Sequence, residues 1–134
     1  MLSLLGLTDD YLHDGRVLIE ALDKKAIPKA LDEHRKTTQQ LGAVYEQLNA
    51  PFGDFAQDTL IASTRALKST DDSVYNSIED SIQSLTTKRD ALATQIKSAL
   101  DGAAFRDQKL QERDAKDWID QANALLAQAH SLAA

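Results

Sequence analysis

The residues of this sequence that could take part in chemistry are scattered along the chain. Its three histidines are His13, His34 and His130, and no two have the i, i+4 spacing of a helical zinc-binding pair. Cysteine is absent, which excludes a disulfide, a thiol nucleophile and a thiolate metal site. No glycine-rich phosphate loop, nucleophile elbow or paired-carboxylate motif is present. The sequence therefore predicts no catalytic, metal-binding or cofactor-binding residues.

Four single residues have both a functional and a structural interpretation. His34 is either a ligand or base, or a partly buried histidine with a hydrogen-bond partner, and the second is favoured. His130 is expected in the last turn of a helix, where positive charge is favourable. Arg89 either pairs with an acid across a bundle, or lays its stem along an apolar stripe with the guanidinium in water. Trp118 is expected to pack against a neighbouring helix rather than serve as an exposed docking residue.

Three aspartates, Asp9, Asp10 and Asp14, lie close together in a polar stretch near the N-terminus. An EF-hand loop would need alternating oxygen ligands, a central glycine and a terminal bidentate glutamate, and this spacing does not supply them. We therefore expect a solvated turn rather than a calcium site.

Length and composition predict one soluble helical domain. The chain has 134 residues, of which 43% are hydrophobic and 27% charged, with only two prolines and five glycines. The formal net charge of -6 repels phosphate backbones and argues against a nucleic-acid partner. No run approaches the roughly 20 apolar residues needed to span a bilayer.

Two long amphipathic helices are predicted between Asp72 and Leu132. In each, apolar residues recur at alternating steps of three and four, which is the pattern of a helix–helix seam. The first seam consists of Ile78, Ile82, Leu85, Leu92, Ile96, Ala99 and Ala103. The second consists of Ala115, Trp118, Ile119, Ala122, Leu125, Leu126, Ala129 and Leu132. Because neither helix can bury its own stripe, we predict that the two pack against each other.

Two shorter helices are predicted before them. One begins at Pro28 and ends at Asn49, shortly before a second proline. The other opens at Asp54, where Gln57 would complete a capping box, and fades at Ser69. Their stripes are Leu31, His34, Thr38, Leu41, Tyr45 and Leu48 in the first helix, and Phe55, Leu60, Thr64 and Leu67 in the second.

The predicted fold class is all-α. We expect an antiparallel up-and-down helical bundle with two long C-terminal helices and a short N-terminal segment. The bundle would span residues 28–134, and the segment 1–27 would contain a short helix from Arg16 to about Lys25. Short connections near residues 49–53, 69–72 and 105–110 would make successive helices antiparallel neighbours.

Residues 2–22 read LSLLGLTDDYLHDGRVLIEAL. A leucine-rich segment ends in Leu-Gly-Leu, and after a polar stretch Asp-Gly-Arg is followed by an apolar pair and a leucine. The positions concerned are Leu4, Leu5, Gly6, Leu7, Asp14, Gly15, Arg16, Val17, Leu18 and Leu22. This pattern resembles the C-terminal edge of the catalytic domain in the alkaline-phosphatase superfamily, in its sulfatase and phosphodiesterase branch. The helical remainder resembles the C-terminal extension of some bacterial members.

The resemblance implies the C-terminal part of a phosphate- or sulfate-ester hydrolase, which would be extracytoplasmic. The family's bimetal site and its nucleophile are carried far upstream of this edge, so the chain itself would be no enzyme. The motif residues would have structural roles: Leu5, Gly6, Leu7, Asp14, Gly15, Arg16 and Leu18. The predicted function is therefore a non-catalytic helical module that serves packing or assembly.

Two kinds of partner are open on this interpretation. One is an upstream catalytic domain, and the other is a second copy that covers the apolar Leu2, Leu4, Leu5 and Leu7. The alternative function is an independent helix-binding or oligomerising protein unrelated to hydrolases, in which Met1–Leu22 would be an amphipathic docking arm.

Overall fold

The computed structural model describes residues 19–134, and in this range every regular element is helical. Two single 3-10 turns, Ile19–Ala21 and Lys24–Ala26, come first. The α-helices are α1 (Lys29–Asp32), α2 (Arg35–Asn49), α3 (Asp54–Ala66), α4 (Asp72–Phe105) and α5 (Glu112–Ala133). The all-α class and the two long C-terminal helices are confirmed. None of these helices is long and apolar enough to cross a bilayer.

The helix predicted from Arg16 to about Lys25 is replaced, where it is described, by the two 3-10 turns. Asp23 explains the interruption, because its Oδ1 accepts the Lys25 backbone N–H at 2.9 Å and so starts a new turn. Arg35 holds the preceding turn through a hydrogen bond of 2.7 Å from Nη2 to the Ile19 carbonyl oxygen. Ile19 and Ile27 both lie in the same apolar core as the helices that follow.

The helix predicted from Pro28 is broken at His34, which has φ −123° and ψ 46° and separates α1 from α2. Thr38, one turn further on, is fully buried. Its Oγ1 lies 3.1 Å from both the Leu31 and the His34 carbonyl oxygens. The Thr38 hydroxyl therefore provides a hydrogen-bond donor for buried backbone carbonyl groups at the break. This explains why a polar residue occupies a position of the seven-residue apolar repeat.

Helices α2 and α3 follow one another in the same direction. At the start of α2, Thr37 Oγ1 lies 3.4 Å from Glu112 Oε1 in the first turn of α5. At the end of α3, Arg65 donates to the carbonyl oxygen of Ala133 in the last turn of α5. Both helices consequently run parallel to α5. Helices α4 and α5 are antiparallel. Helices α2 and α3, one after the other, take the place of the third helix in a three-helix bundle, and we call this pair of short helices one leg of the bundle.

The connection at residues 49–53 therefore bends the chain instead of reversing it, which differs from the predicted antiparallel pairing of α2 with α3. Gly53 N–H donates to the Ala50 carbonyl oxygen at 2.9 Å. Gln47 Oε1 accepts the Asp54 N–H at 3.2 Å, which caps the new helix from the old one. The predicted capping box is wrong, because Gln57 Nε2 donates to the Phe52 carbonyl oxygen at 2.6 Å.

The other two predicted connections do reverse the chain. Asp71 caps the start of α4, where its Oδ1 accepts the Ser73 N–H at 2.8 Å and the Ser73 hydroxyl at 2.7 Å. These hydrogen bonds lower the pKa of Asp71. At the other end of α4, the Gly102 carbonyl oxygen accepts from the N–H groups of Arg106 at 3.0 Å and Gln108 at 3.1 Å. The connection between α4 and α5 covers residues 106–111, within one residue of the predicted 105–110.

The core lies where the three legs meet. Its largest fully buried apolar side chains are Leu41, Leu48 and Ile96. Alanines at almost no exposure let the helices approach closely: Ala62, Ala66, Ala103, Ala115, Ala122 and Ala129. In the predicted seam of α4, Ile78, Ile82 and Ala99 are half-buried, and the other four residues are buried: Leu85, Leu92, Ile96 and Ala103. The predicted packing of the α4 and α5 stripes is confirmed.

We expect Gly53→Ala to lower the free energy of unfolding by about 1–3 kcal/mol, the usual cost of overpacking. A Cβ at Gly53 would lie 2.5 Å from the Gln47 carbonyl oxygen and 3.0 Å from that of Glu46, so the backbone itself would have to move. Urea denaturation followed by circular dichroism measures the change.

Gly102→Ala is the matched control, because its Cβ would meet the side chain of Gln108, with Oε1 at 2.3 Å. That side chain can rotate away, and alanine improves helix propensity, so a small effect is expected. Equal losses at both glycines would contradict the tight backbone approach at the bend.

Candidate functional site

The two histidines in the described part of the chain each face a carboxylate on another helix. His34 Nδ1 lies 3.5 Å from Glu112 Oε2, and His130 Nδ1 lies 3.4 Å from Asp58 Oδ2. His34 is half-buried beside a polar partner and His130 lies in the last turn of α5, as predicted for both. The two contacts tie the ends of α5 to the leg formed by α2 and α3.

Glu112 joins several polar groups at the start of α5. Its Oε1 lies 2.8 Å from Lys116 Nζ and 3.4 Å from Thr37 Oγ1. Lys116, by its hydrogen bond and its charge, lowers the pKa of Glu112, with smaller contributions from His34 and Thr37. Thr37 contacts the carboxylate and not the imidazole, so this group contains no hydroxyl–imidazole pair. It stabilises the junction of α2 with α5.

No group of three or more histidine, aspartate and glutamate side chains within residues 19–134 is placed to hold a metal ion. All positions of the hydrolase-like motif except Leu22 lie outside the described residues, and so do His13 and the aspartate cluster. The structural roles predicted for the motif stay predictions: Leu5, Gly6, Leu7, Asp14, Gly15, Arg16 and Leu18.

Arg89 of α4 lies at the bend between α2 and α3. Its Nη1 donates to the Leu48 carbonyl oxygen at 3.3 Å, in the last turn of α2. Its guanidinium carbon lies 5.2 Å from the centroid of the Phe55 ring, in the first turn of α3, which is cation–π distance. Arg89 Nε also lies 2.7 Å from Asp90 Oδ1, an ion pair without hydrogen-bond alignment.

Neither prediction for Arg89 describes this arrangement fully. The acid that it contacts belongs to its own helix and not to one across the bundle. The guanidinium is largely buried, at 22% side-chain exposure, and does not extend into water. Its role is to hold one end of α2 and one end of α3 on the same stretch of α4.

The outward face of α3 and its C-terminal end carry large apolar side chains that are exposed to solvent. Leu60 is 67% exposed and Leu67 is 70% exposed, and both belong to the stripe predicted for this helix. Thr64 lies between them, and its Oγ1 donates to the Leu60 carbonyl oxygen at 2.7 Å. Of that predicted stripe, Phe55 alone is buried, because the inward face of α3 is formed by Phe55, Ala62 and Ala66.

This surface extends to both sides of α3. Phe52, at the bend, is 87% exposed, and Ile61 follows Leu60 on the side that faces α5. Ile61 lines a shallow groove of about 490 Å³ between α3 and α5, together with Leu126, Ala127, Asp54, Gln57, Asp58 and His130. We define the α3 face as Phe52, Leu60, Ile61, Thr64 and Leu67. Contiguous exposed apolar side chains of this kind mark interaction surfaces.

A second groove, of about 910 Å³, lies between the first half of α4 and the end of α5. It is lined largely by serines, with Asp80 and Lys88 as its charged residues. Its polar lining is typical of a solvated helix surface, and the α3 face is the better candidate for a functional site.

Comparison with protein-family models, with curated proteins and with solved structures gives no match to this chain. The resemblance to the alkaline-phosphatase superfamily therefore rests on the N-terminal motif alone.

We expect Arg89→Met to lower the free energy of unfolding by about 2 kcal/mol, since it removes a charged hydrogen bond and a cation–π contact. Methionine keeps the apolar stem, so the loss reports on the guanidinium. Thermal and urea denaturation measure it.

Lys88→Met, at the exposed neighbouring position, is the control and should leave stability nearly unchanged. A double-mutant cycle with Phe55→Leu should show that the Arg89 and Phe55 losses are not additive. Additive losses would rule out the contact between this ring and the guanidinium.

Proposed function

We propose that this chain is a non-catalytic helical module that serves assembly, with the α3 face as its working surface. The observation that carries the proposal is the exposure of Leu60 and Leu67 on one side of α3. Their spacing, with Thr64 between them, is the four-then-three pattern of a helix–helix seam. Within the described chain no helix covers that seam, so a partner would bury it.

The polar groups of the described chain support a structural role. The His34–Glu112 and His130–Asp58 pairs and the Arg89 guanidinium all join one helix to another. Each of these contacts fixes the bundle that presents α3. None of them places a hydroxyl beside an imidazole, the pair that activates a serine or threonine nucleophile in many hydrolases.

The module would be the C-terminal part of a bacterial phosphate- or sulfate-ester hydrolase, located outside the cytoplasm. The spacing of Leu-Gly-Leu and Asp-Gly-Arg in residues 4–16 supports this relation. On this view the α3 face or the N-terminal segment contacts an upstream catalytic domain or a second copy. The alternative is an independent helix-binding or oligomerising protein, which the exposed seam of α3 supports equally.

We expect the double variant Leu60→Gln, Leu67→Gln to keep the melting temperature of the wild type within a few degrees at low protein concentration. Both side chains are exposed, so folding does not depend on them. Leu41→Gln, at 0% exposure, is the control and should unfold the protein or lower its melting temperature strongly. A comparable loss in the double variant would show that the two leucines serve the fold and not assembly.

The purified chain should not hydrolyse aryl phosphates or aryl sulfates, with or without added zinc, magnesium, calcium or manganese. A phosphatase and a sulfatase of known activity confirm that substrates and metals are competent. Metal-dependent turnover that copurifies with the chain would overturn the non-catalytic assignment.

A further inference from the structure

We propose that the partner of the α3 face is a second copy of this chain, bound by antiparallel pairing of α3 with α3 about a two-fold axis at Ile61. This proposal rests on the assembly function above and names its partner. It is carried by the order of apolar and charged residues along α3, which is self-complementary in the antiparallel direction.

The apolar residues of the α3 face lie on both sides of Ile61 along the chain. Leu60 lies beside the axis, where it would contact Ile61 and Thr64 of the second copy. Leu67 is six residues after the axis and Phe52 nine before it, so in an antiparallel pair each lies within one turn of the other. Leu67 has φ −62° and ψ −20°, which continues the helical face to this position.

The charges of α3 are separated by sign. Asp54 lies before Leu60 and Lys68 follows Leu67, and each is seven residues from Ile61. Antiparallel pairing about Ile61 therefore places Asp54 of each copy opposite Lys68 of the other, which gives two equivalent ion pairs. Both residues are exposed. A parallel pairing would instead set each charge against its like, which is unfavourable.

The nearby charged residues of the same helix do not oppose this arrangement. Asp58 is held by His130, and Arg65 is bound to the carbonyl oxygen of Ala133, both on α5. In the antiparallel register these two residues face Thr64 and Gln57 of the second copy, which carry no charge. The register thus leaves no like-charged residues opposed on α3.

A contact between single helices of this length lies at the small end of specific interfaces. Stable dimers usually bury about 800 Å² on each partner, and one face of a thirteen-residue helix offers less. We therefore expect a dimer with a dissociation constant of about micromolar or weaker, visible as a concentration-dependent mass in sedimentation. Leu60→Asp should shift the protein to the monomer, and an unchanged circular dichroism melt shows that it is folded.

Charge exchange tests the register directly. In Lys68→Glu, both pairs become acidic, and in Asp54→Lys both become basic, so each variant alone should dimerise about tenfold more weakly. Mixed in equal amounts, the two variants regain an Asp54–Lys68 pair and a reversed Lys–Glu pair. We expect heterodimers to form with an affinity near that of the wild type, measured by sedimentation with one variant fluorescently labelled.

A single cysteine provides the second test, since the chain contains none of its own. Ile61→Cys lies at the proposed axis and should form a disulfide-linked dimer under mild oxidation, whereas Gln95→Cys on the exposed surface of α4 should not. A strictly monomeric protein, equal crosslinking at both positions, or no recovery on mixing would each overturn the α3 pairing. The assembly function would still stand in those cases, whereas ester hydrolysis by the chain would overturn the function and not the pairing.

Discussion

The length of α4 is the constraint on which the rest of this structure depends. A helix of 34 residues is about 51 Å long and exposes one apolar stripe over most of that length. Neither α2, with 15 residues, nor α3, with 13, can cover it alone. Placed in succession, they cover most of it, and α5 completes the bundle from the other side. The three-legged arrangement follows from this mismatch in helix length.

Because α2 and α3 follow one another, the end of α2 and the start of α3 both need stabilising contacts at the junction between them. Where α2 stops, its last carbonyl groups lose their helical partners, and the start of α3 must be held beside them. The Arg89 side chain meets both needs, because its Nη1 donates to the Leu48 carbonyl oxygen and its guanidinium lies over the Phe55 ring. Gly53 allows the two helices to approach, and Gln47 links them on the outer side. These contacts together fix the orientation of α3 relative to α2.

Local patterns in the sequence were sufficient for the two long helices and for some of the helix ends, but not for the break at His34 or the two 3-10 turns before it. The long helices α4 and α5, the stop at Asn49 and the start of α4 at Asp72 all appear in the structure where the pattern places them. Such patterns could not predict the direction in which α3 leaves the bend. It depends on Gln47, Gly53 and Arg89, which are up to 42 residues apart in the chain. Thr38 was predicted as a seam position, and its hydrogen bonds to the carbonyl oxygens of Leu31 and His34 depend on the helix break at His34, which the seven-residue repeat does not indicate.

The apolar stripe of α3 shows that what local sequence patterns cannot predict about the fold also affects the prediction of function. Leu60, Thr64 and Leu67 have the spacing of buried seam residues, and periodicity cannot distinguish a seam closed by the same chain from one closed by another. Once α2 and α3 share one leg, the inward face of α3 is taken by Phe55, Ala62 and Ala66. The leucine stripe then faces outward as a consequence of topology. Because the fold leaves this apolar stripe exposed to solvent, there is a physical reason to expect a partner that covers it. The order of charges along α3 favours a second copy of the chain as that partner.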